Sequence, residues 1–207
     1  MMSKKLIFLS VMIGSLFGFS LFGSRVSTDN LLALSVQQNF CKLNRYKKEC
    51  RNFSQREFAF TLHGLWPQPR SKQNCSNRIK RIDNSIWQEL KQKMPGVKSG
   101  LHKHEWRKHG SCYGKDEDGY FKDALKLLDE VNNSSLREFF AKNRGKVITK
   151  AQLNQKFKHP RKFIMICKKG LITELRFALK GRVDKENLSE LLKKAKPLRG
   201  GCQRGRI

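Results

Sequence analysis

Two short segments carry the residues best placed to do chemistry. The first is Phe60-Thr61-Leu62-His63-Gly64-Leu65-Trp66-Pro67, and the second is His104-Glu105-Trp106-Arg107-Lys108-His109-Gly110-Ser111-Cys112. On a helix, at about 100° per residue, His104, Glu105, Lys108 and His109 fall within an arc of about 140°, and Trp106 points the other way, toward a core. One face then holds two imidazoles, a carboxylate and an ammonium, with His104/Lys108 and Glu105/His109 as i,i+4 neighbours. Imidazole titrates near 6.5, so one ring can be neutral while another is charged, as a general base and a general acid require.

That set meets the demands of cutting RNA without a metal. A base must take the proton of the 2′-hydroxyl, an acid must protonate the leaving 5′-oxygen, and a cation must stabilise the crowded phosphorus. DNA, lacking that hydroxyl, would survive. Two rival readings stay open. His102, His104 and His109 could form a metal triplet, although zinc sites need three or four converging ligands. Alternatively, the chain binds polyanions without turnover and takes RNA and DNA alike.

Charge fits either nucleic-acid reading. Among 207 residues, 44 are Lys or Arg and 17 Asp or Glu, a formal charge of +27 that attracts polyanions or anionic lipid surfaces. Basic residues run from Lys42 to Arg206, while Asp116, Glu117, Asp118, Asp123, Asp129 and Glu130 gather together and predict one less basic flank.

The elements that must position the two motifs come next. Leu31 to Val36 reads as a strand and the polar segment from Cys41 to Cys50 as a loop. Glu57 to Leu62 alternates with period two, so His63 is expected to end a core strand, with Gly64 and Pro67 breaking it and leaving His63 and Trp66 at a loop edge. A helix is expected from Ser85 to Met94, with Trp87 toward the core, and another from His102 to His109, stopped by Gly110. Tyr120 to Val131 is amphipathic, and Ser135 with Glu138 and Thr149 with Gln152 read as capping boxes. Lys162 to Cys167 and Leu171 to Leu179 read as a hairpin, followed by a short helix from Leu188 to Lys194. His159, next to Pro160, reads as a loop histidine without a role.

Lys4 and Lys5 precede an uncharged apolar stretch from Leu6 to Phe22, the pattern of a secretory signal. Residues 1–24 are therefore expected to be a signal peptide with no clear cut site, an uncleaved membrane anchor being the alternative. Residues 28–207 are expected to form one domain. Six cysteines follow, and an even number in an exported chain implies a disulfide framework, for which the sequence alone allows fifteen pairings. Asn-x-Ser matches at Asn52, Asn74, Asn133 and Asn187 would carry glycans only in a eukaryotic secretory route.

The two motifs together resemble the paired active-site segments of the T2 ribonucleases, with Cys112 where that family has a bridging cysteine. The pattern is closest to the bacterial ribonuclease I-type members, and extends more weakly to Leu31–Cys41, Tyr113-Gly114 and Tyr120-Phe121. The resemblance implies an α+β fold, a central antiparallel sheet with several flanking helices, stabilised by Cys41–Cys50, Cys75–Cys112 and Cys167–Cys202. It makes His109 the general base and His63 the general acid. His104 and Trp66 would hold phosphate and sugar, and Glu105 and Lys108 would stabilise the pentacovalent phosphorane. It further implies an endoribonuclease of low base specificity acting on single-stranded RNA through a 2′,3′-cyclic phosphate. No metal or other cofactor is implied; the protein would be a monomer, exported to a periplasm or secreted. Val36 departs from the pattern, since relatives often carry tryptophan at the corresponding place, near where bases are handled.

Overall fold

The computed structural model describes residues 25–157 and 159–207; the expected signal segment, 1–24, lies outside them. Among these residues six strands form one sheet: β1 (Asp29–Ser35), β2 (Thr61–Pro67), β3 (Val147–Thr149), β4 (Phe163–Lys168), β5 (Leu171–Lys180) and β6 (Arg204–Arg206). The order is β2-β1-β5-β6-β3, with β4 also paired to β5. The β1–β2, β1–β5, β4–β5 and β3–β6 pairs are antiparallel, and a parallel contact at Leu171 and Arg206 joins β5 to β6. Among the described residues, seven helices accompany the sheet: α1 (Gln37–Leu43), α2 (Asn84–Lys93), α3 (Leu101–Lys108), α4 (Glu117–Asn132), α5 (Ser135–Lys142), α6 (Lys150–Lys156) and α7 (Leu188–Lys194).

The core shows why these segments fold so. Leu32 and Leu34 of β1, Leu175, Phe177 and Leu179 of β5 and Phe163 and Met165 of β4 are buried at alternate positions, the period of a strand with one face inward. Tyr120, Ala124, Leu127, Leu128 and Val131 of α4 recur at helical spacing and are fully buried. The helix is capped by Asp116, which accepts from the Gly119 amide. The clustered acidic residues thus lie on α4 and its cap, where Asp123 pairs with Lys115, and Asp129 with Lys93.

Several boundaries differ from the sequence reading. The strand expected at Glu57–Leu62 begins at Thr61 and runs on through Gly64 to Pro67, because β1 offers partners as far as Asn30 opposite Pro67. The expected Cys41–Cys50 loop starts as helix α1, whose Cys41 is buried. The capping box at Ser135 is absent: α5 begins one residue earlier than that box requires, with Ser134 at the cap position and its hydroxyl turned back to the Val131 carbonyl. The box of Thr149 with Gln152 is present, as is a second one, Asn187 with Glu190, on α7. Strands β3 and β6, three residues each, had no alternating pattern long enough to announce them. The hairpin turns at Lys169 and Gly170, both at positive φ.

Three disulfides tie the fold: Cys41–Cys50, Cys75–Cys112 and Cys167–Cys202. The second joins the loop after β2 to the turn after α3, and so links the two motif segments. Among the described residues, no helix is long and apolar enough to cross a membrane.

Candidate active site

The first motif owes its geometry to a bulge. Ala33 of β1 faces Gly64 and Leu34 faces Leu62, so His63 is the extra residue of β2 and is turned out of the ladder. Its side chain is 31% exposed. Gly64 is no strand breaker. A Cβ there would stand 2.0 Å from Oε2 of Glu105 and 2.7 Å from Nε1 of Trp66, so glycine is what lets α3 approach the sheet.

The second motif lies on α3 as expected, with His109 as its C-cap. Gly110 has ordinary negative φ; a side chain there would meet Trp106 and Tyr120, so packing rather than a left-handed cap requires the glycine. Trp106 is buried on the opposite side, donating to the Arg78 carbonyl.

These elements converge on one cleft of about 390 Å³, lined by His63, Trp66, His104, Glu105, Lys108 and His109 together with Pro67, Gln68, Arg70, Gln73 and Arg176. Trp66 is its centre. The His63 ring meets it edge to face at 5.3 Å between centroids, and the His109 ring stacks at 5.2 Å with 29° between planes. Trp66 Nε1 donates to Glu105 Oε2 at 2.6 Å, and Glu105 is only 1% exposed. A second cavity, of about 460 Å³, shares His63 and His104 with the cleft, and is lined further by Glu174, Ser35, Gln37, Asn44 and Leu101. Val36 does not reach it: it is 1% exposed in the core, and its neighbours Ser35 and Gln37 face the cavity instead.

Two residues of the site were not foreseen, Glu174 and Arg176 of β5. Glu174 Oε2 lies 2.5 Å from His63 Nδ1, and the Arg176 Nε donates to the other oxygen of Glu174. The Arg176 guanidinium lies over the Trp66 ring, 4.9 Å from its centroid. A carboxylate and a guanidinium two residues apart inside a largely apolar strand were the one signal available for them.

The environment drives the two imidazoles apart. Burial, reinforced by the charges of Lys108, His104 and His63, lowers the pKa of His109 to about 4. Its buried Nδ1 has no hydrogen-bond partner among the described residues. Burial also pulls His63 down, but the hydrogen bond and charge of Glu174, with the charge of Glu105, outweigh it and the opposing Arg176, and hold His63 above its ordinary value. His104 lies below its ordinary value through burial and the charges of Lys108 and His63. Burial raises Glu105 despite the opposing His63, Trp66 and Lys108. Burial would raise Glu174 too, yet bonding to His63 and Arg176 lowers it.

His102 does not join this group. It is buried against Trp87, ring centroids 4.9 Å apart, so the triplet with His104 and His109 does not converge; among the described residues no three His, Cys, Asp or Glu side chains form a metal-holding group. His159 lies in a turn beside Ser189.

The fold and the cleft thus define a disulfide-bonded α+β protein with two histidines set about one tryptophan between a sheet and one helix. The chain belongs to the Ribonuclease T2 family, whose model matches residues 30–189. It is 28% identical over 167 residues to Ribonuclease I of Escherichia coli (strain K12), covering 61% of this chain and 62% of that protein. It is 36% identical over 83 residues to a ribonuclease of Aeromonas hydrophila, covering 40% and 36%. The chain therefore spans less than two thirds of the length of these relatives. Among solved structures, a gametophytic self-incompatibility RNase of Nicotiana alata superposes with a TM-score of 0.64 at 20% identity, covering 86% of this chain and 95% of that one. RNase NT in complex with 5′-AMP does so at 0.59 and 17%, covering 88% and 98%. At such identities the likeness shows the shared fold.

Proposed function

We propose that this protein is an endoribonuclease that cleaves single-stranded RNA by metal-independent transphosphorylation. The observation that carries the reading is the placement of His63 and His109 on two sides of Trp66 with their proton affinities displaced in opposite directions. His109, neutral, takes the proton of the 2′-hydroxyl as its oxygen attacks phosphorus. His63, protonated, gives its proton to the 5′-oxygen as the P–O5′ bond breaks. The products are a 2′,3′-cyclic phosphate and a 5′-hydroxyl.

Between them Trp66 and His104 hold the sugar and phosphate. Lys108 supplies positive charge to the phosphorane, and Glu105, raised from its ordinary value by burial, helps to stabilise it. Binding of 5′-AMP by RNase NT supports a nucleotide in the cleft. Base readout by stacking on aromatic side chains tolerates any base, which favours low base specificity. The charge of +27 would steer RNA toward the cleft, strongly so at low salt. DNA is not cleaved, no cofactor is required, and the protein acts as an exported monomer, periplasmic or secreted, with residues 1–24 as the signal peptide and residues 28–207 as the catalytic domain.

The test is incubation of the oxidised protein with RNA and its DNA analogue in excess EDTA, with the product ends mapped. Cyclic phosphate ends from RNA alone are expected, and His63→Ala and His109→Ala should each slow cleavage by about a hundredfold or more. Loss of cleavage in EDTA, or variants that turn over like the parent, would overturn the reading.

A further inference from the structure

Across the sheet, Glu174 of β5 is paired with Ser35 of β1, which is paired with Thr61 of β2; Arg176 is paired with Ala33, which is paired with Gly64. These middle positions are small, so long side chains from β5 can cross β1 and meet those of β2, two strand spacings or roughly 10 Å away. Glu174 and His63 do meet, at 2.5 Å from Oε2 to Nδ1, and Glu174 is 7% exposed. Besides Glu174, the charged and titratable groups around the His63 ring come from β5 and α3. Arg176 shares β5 with Glu174 and occupies its other oxygen. On α3, Glu105 stands 3.6 Å from His63 Nε2, too far for a hydrogen bond, and His104 lines the same cleft. Lys108 and His109 complete the charged and titratable surroundings.

We infer that Glu174 is a positioning residue for His63: it accepts the Nδ1 proton, fixes the ring with Nε2 toward the cleft, and stabilises its charged form until that proton is delivered. This rests on the reading of His63 as the general acid. After Nε2 has given its proton to the 5′-oxygen, the ring is neutral with its remaining hydrogen on Nδ1, still held by Glu174. Nε2 is left as a bare acceptor facing the cleft, the form required to take a proton from water when the cyclic ester is hydrolysed. One carboxylate thus serves both directions of proton traffic. Arg176 balances it, for a carboxylate with no second partner would bind the imidazolium more firmly and slow the release of its proton.

The experiment follows the His63 ring nitrogens by NMR titration in the parent protein, Glu174→Gln and Arg176→Ala, alongside the pH dependence of kcat. Glutamine keeps the shape and loses the charge. His63 is expected to titrate lower in Glu174→Gln, with the alkaline limb of kcat moving the same way and kcat falling about tenfold or more. In Arg176→Ala it is expected to titrate higher, a change that removal of a merely structural contact would not produce. An unchanged His63 titration in a folded Glu174→Gln protein overturns the inference. Should that variant fail to fold, an unchanged or lower titration in Arg176→Ala does so. If the ring titrations move as expected while the alkaline limb stays put, the pairing holds and the assignment of His63 as acid falls.

Discussion

Trp66 donates its indole N–H to Glu105 across the gap that Gly64 leaves open. The bond ties the sheet to α3 at the place where the two motifs touch, and it orients the ring on which His109 stacks. Both partners are held by a third residue that has no side chain.

Gly64→Ala should therefore be far more harmful than its size suggests. The added methyl would overlap the Glu105 carboxylate, so that carboxylate and the Trp66 indole must both shift. A misplacement of about 1 Å in a catalytic group can cost on the order of a hundredfold in rate. The expected outcome is a loss of that order in kcat/KM with the far-ultraviolet circular dichroism retained. Parent-like cleavage would mean that the Trp66–Glu105 bond is unimportant.

The pH dependence of cleavage follows from the two histidines. The base must be neutral, so activity should rise as His109 loses its proton at about pH 4. The acid must be charged, so activity should fall as the pH passes the titration of His63, above its ordinary value. The profile of kcat/KM is thus a broad bell with its acid limb near 4. A steep acid limb near 6.5 would show that His109 is not the group held neutral by its surroundings.

Much of this site could be read from the chain because its two motifs are each local. The helical face of His104, Glu105, Lys108 and His109 needs only the 100° step, and α3 carries all but His109, which caps it. The short helices α6 and α7 were visible through patterning and the Thr149 cap. Glu174 was hidden because it lies 111 residues from His63, and only the register of three strands brings them together. The bulge at His63 was hidden for a related reason: Gly64 and Pro67 look like breakers until β1 is seen to supply partners for both. Val36 stands between β1 and α1 with its side chain in the core, while Ser35 and Gln37 on either side line the second cavity, an arrangement no local pattern announces.

Removing the Cys75–Cys112 bridge should damage stability and cleavage together. It closes a separation of 37 residues and joins the segments on either side of the cleft, whereas Cys41–Cys50 closes 9. In the chain-entropy model the longer loop contributes roughly 4 kcal/mol and the shorter about 1 kcal/mol less. Replacing both cysteines of the longer bridge by serine should lower the urea midpoint and depress kcat/KM. The same change at Cys41 and Cys50 should affect the midpoint less. Cleavage indifferent to the loss of Cys75–Cys112 would show that the bridge does not hold the motifs in place.

Acid should weaken the fold through His109. Its folded pKa is about 4, well below the ordinary 6.5, so between those values the unfolded chain binds a proton that the folded protein does not. Stability therefore rises with pH across that window and is lost as the pH falls through it. His102 and His104, also lowered by burial, act in the same sense. His63 acts in the opposite one: its raised pKa adds stability that is full below 6.5 and is lost as the pH climbs through its folded value. His109→Gln removes the largest of the lowered groups while keeping a polar side chain beside Trp66. Urea midpoints measured at pH 6.5 and 4.5 should fall less in this variant than in the parent. Equal falls in the two proteins would place the acid sensitivity elsewhere and contradict a neutral, buried His109.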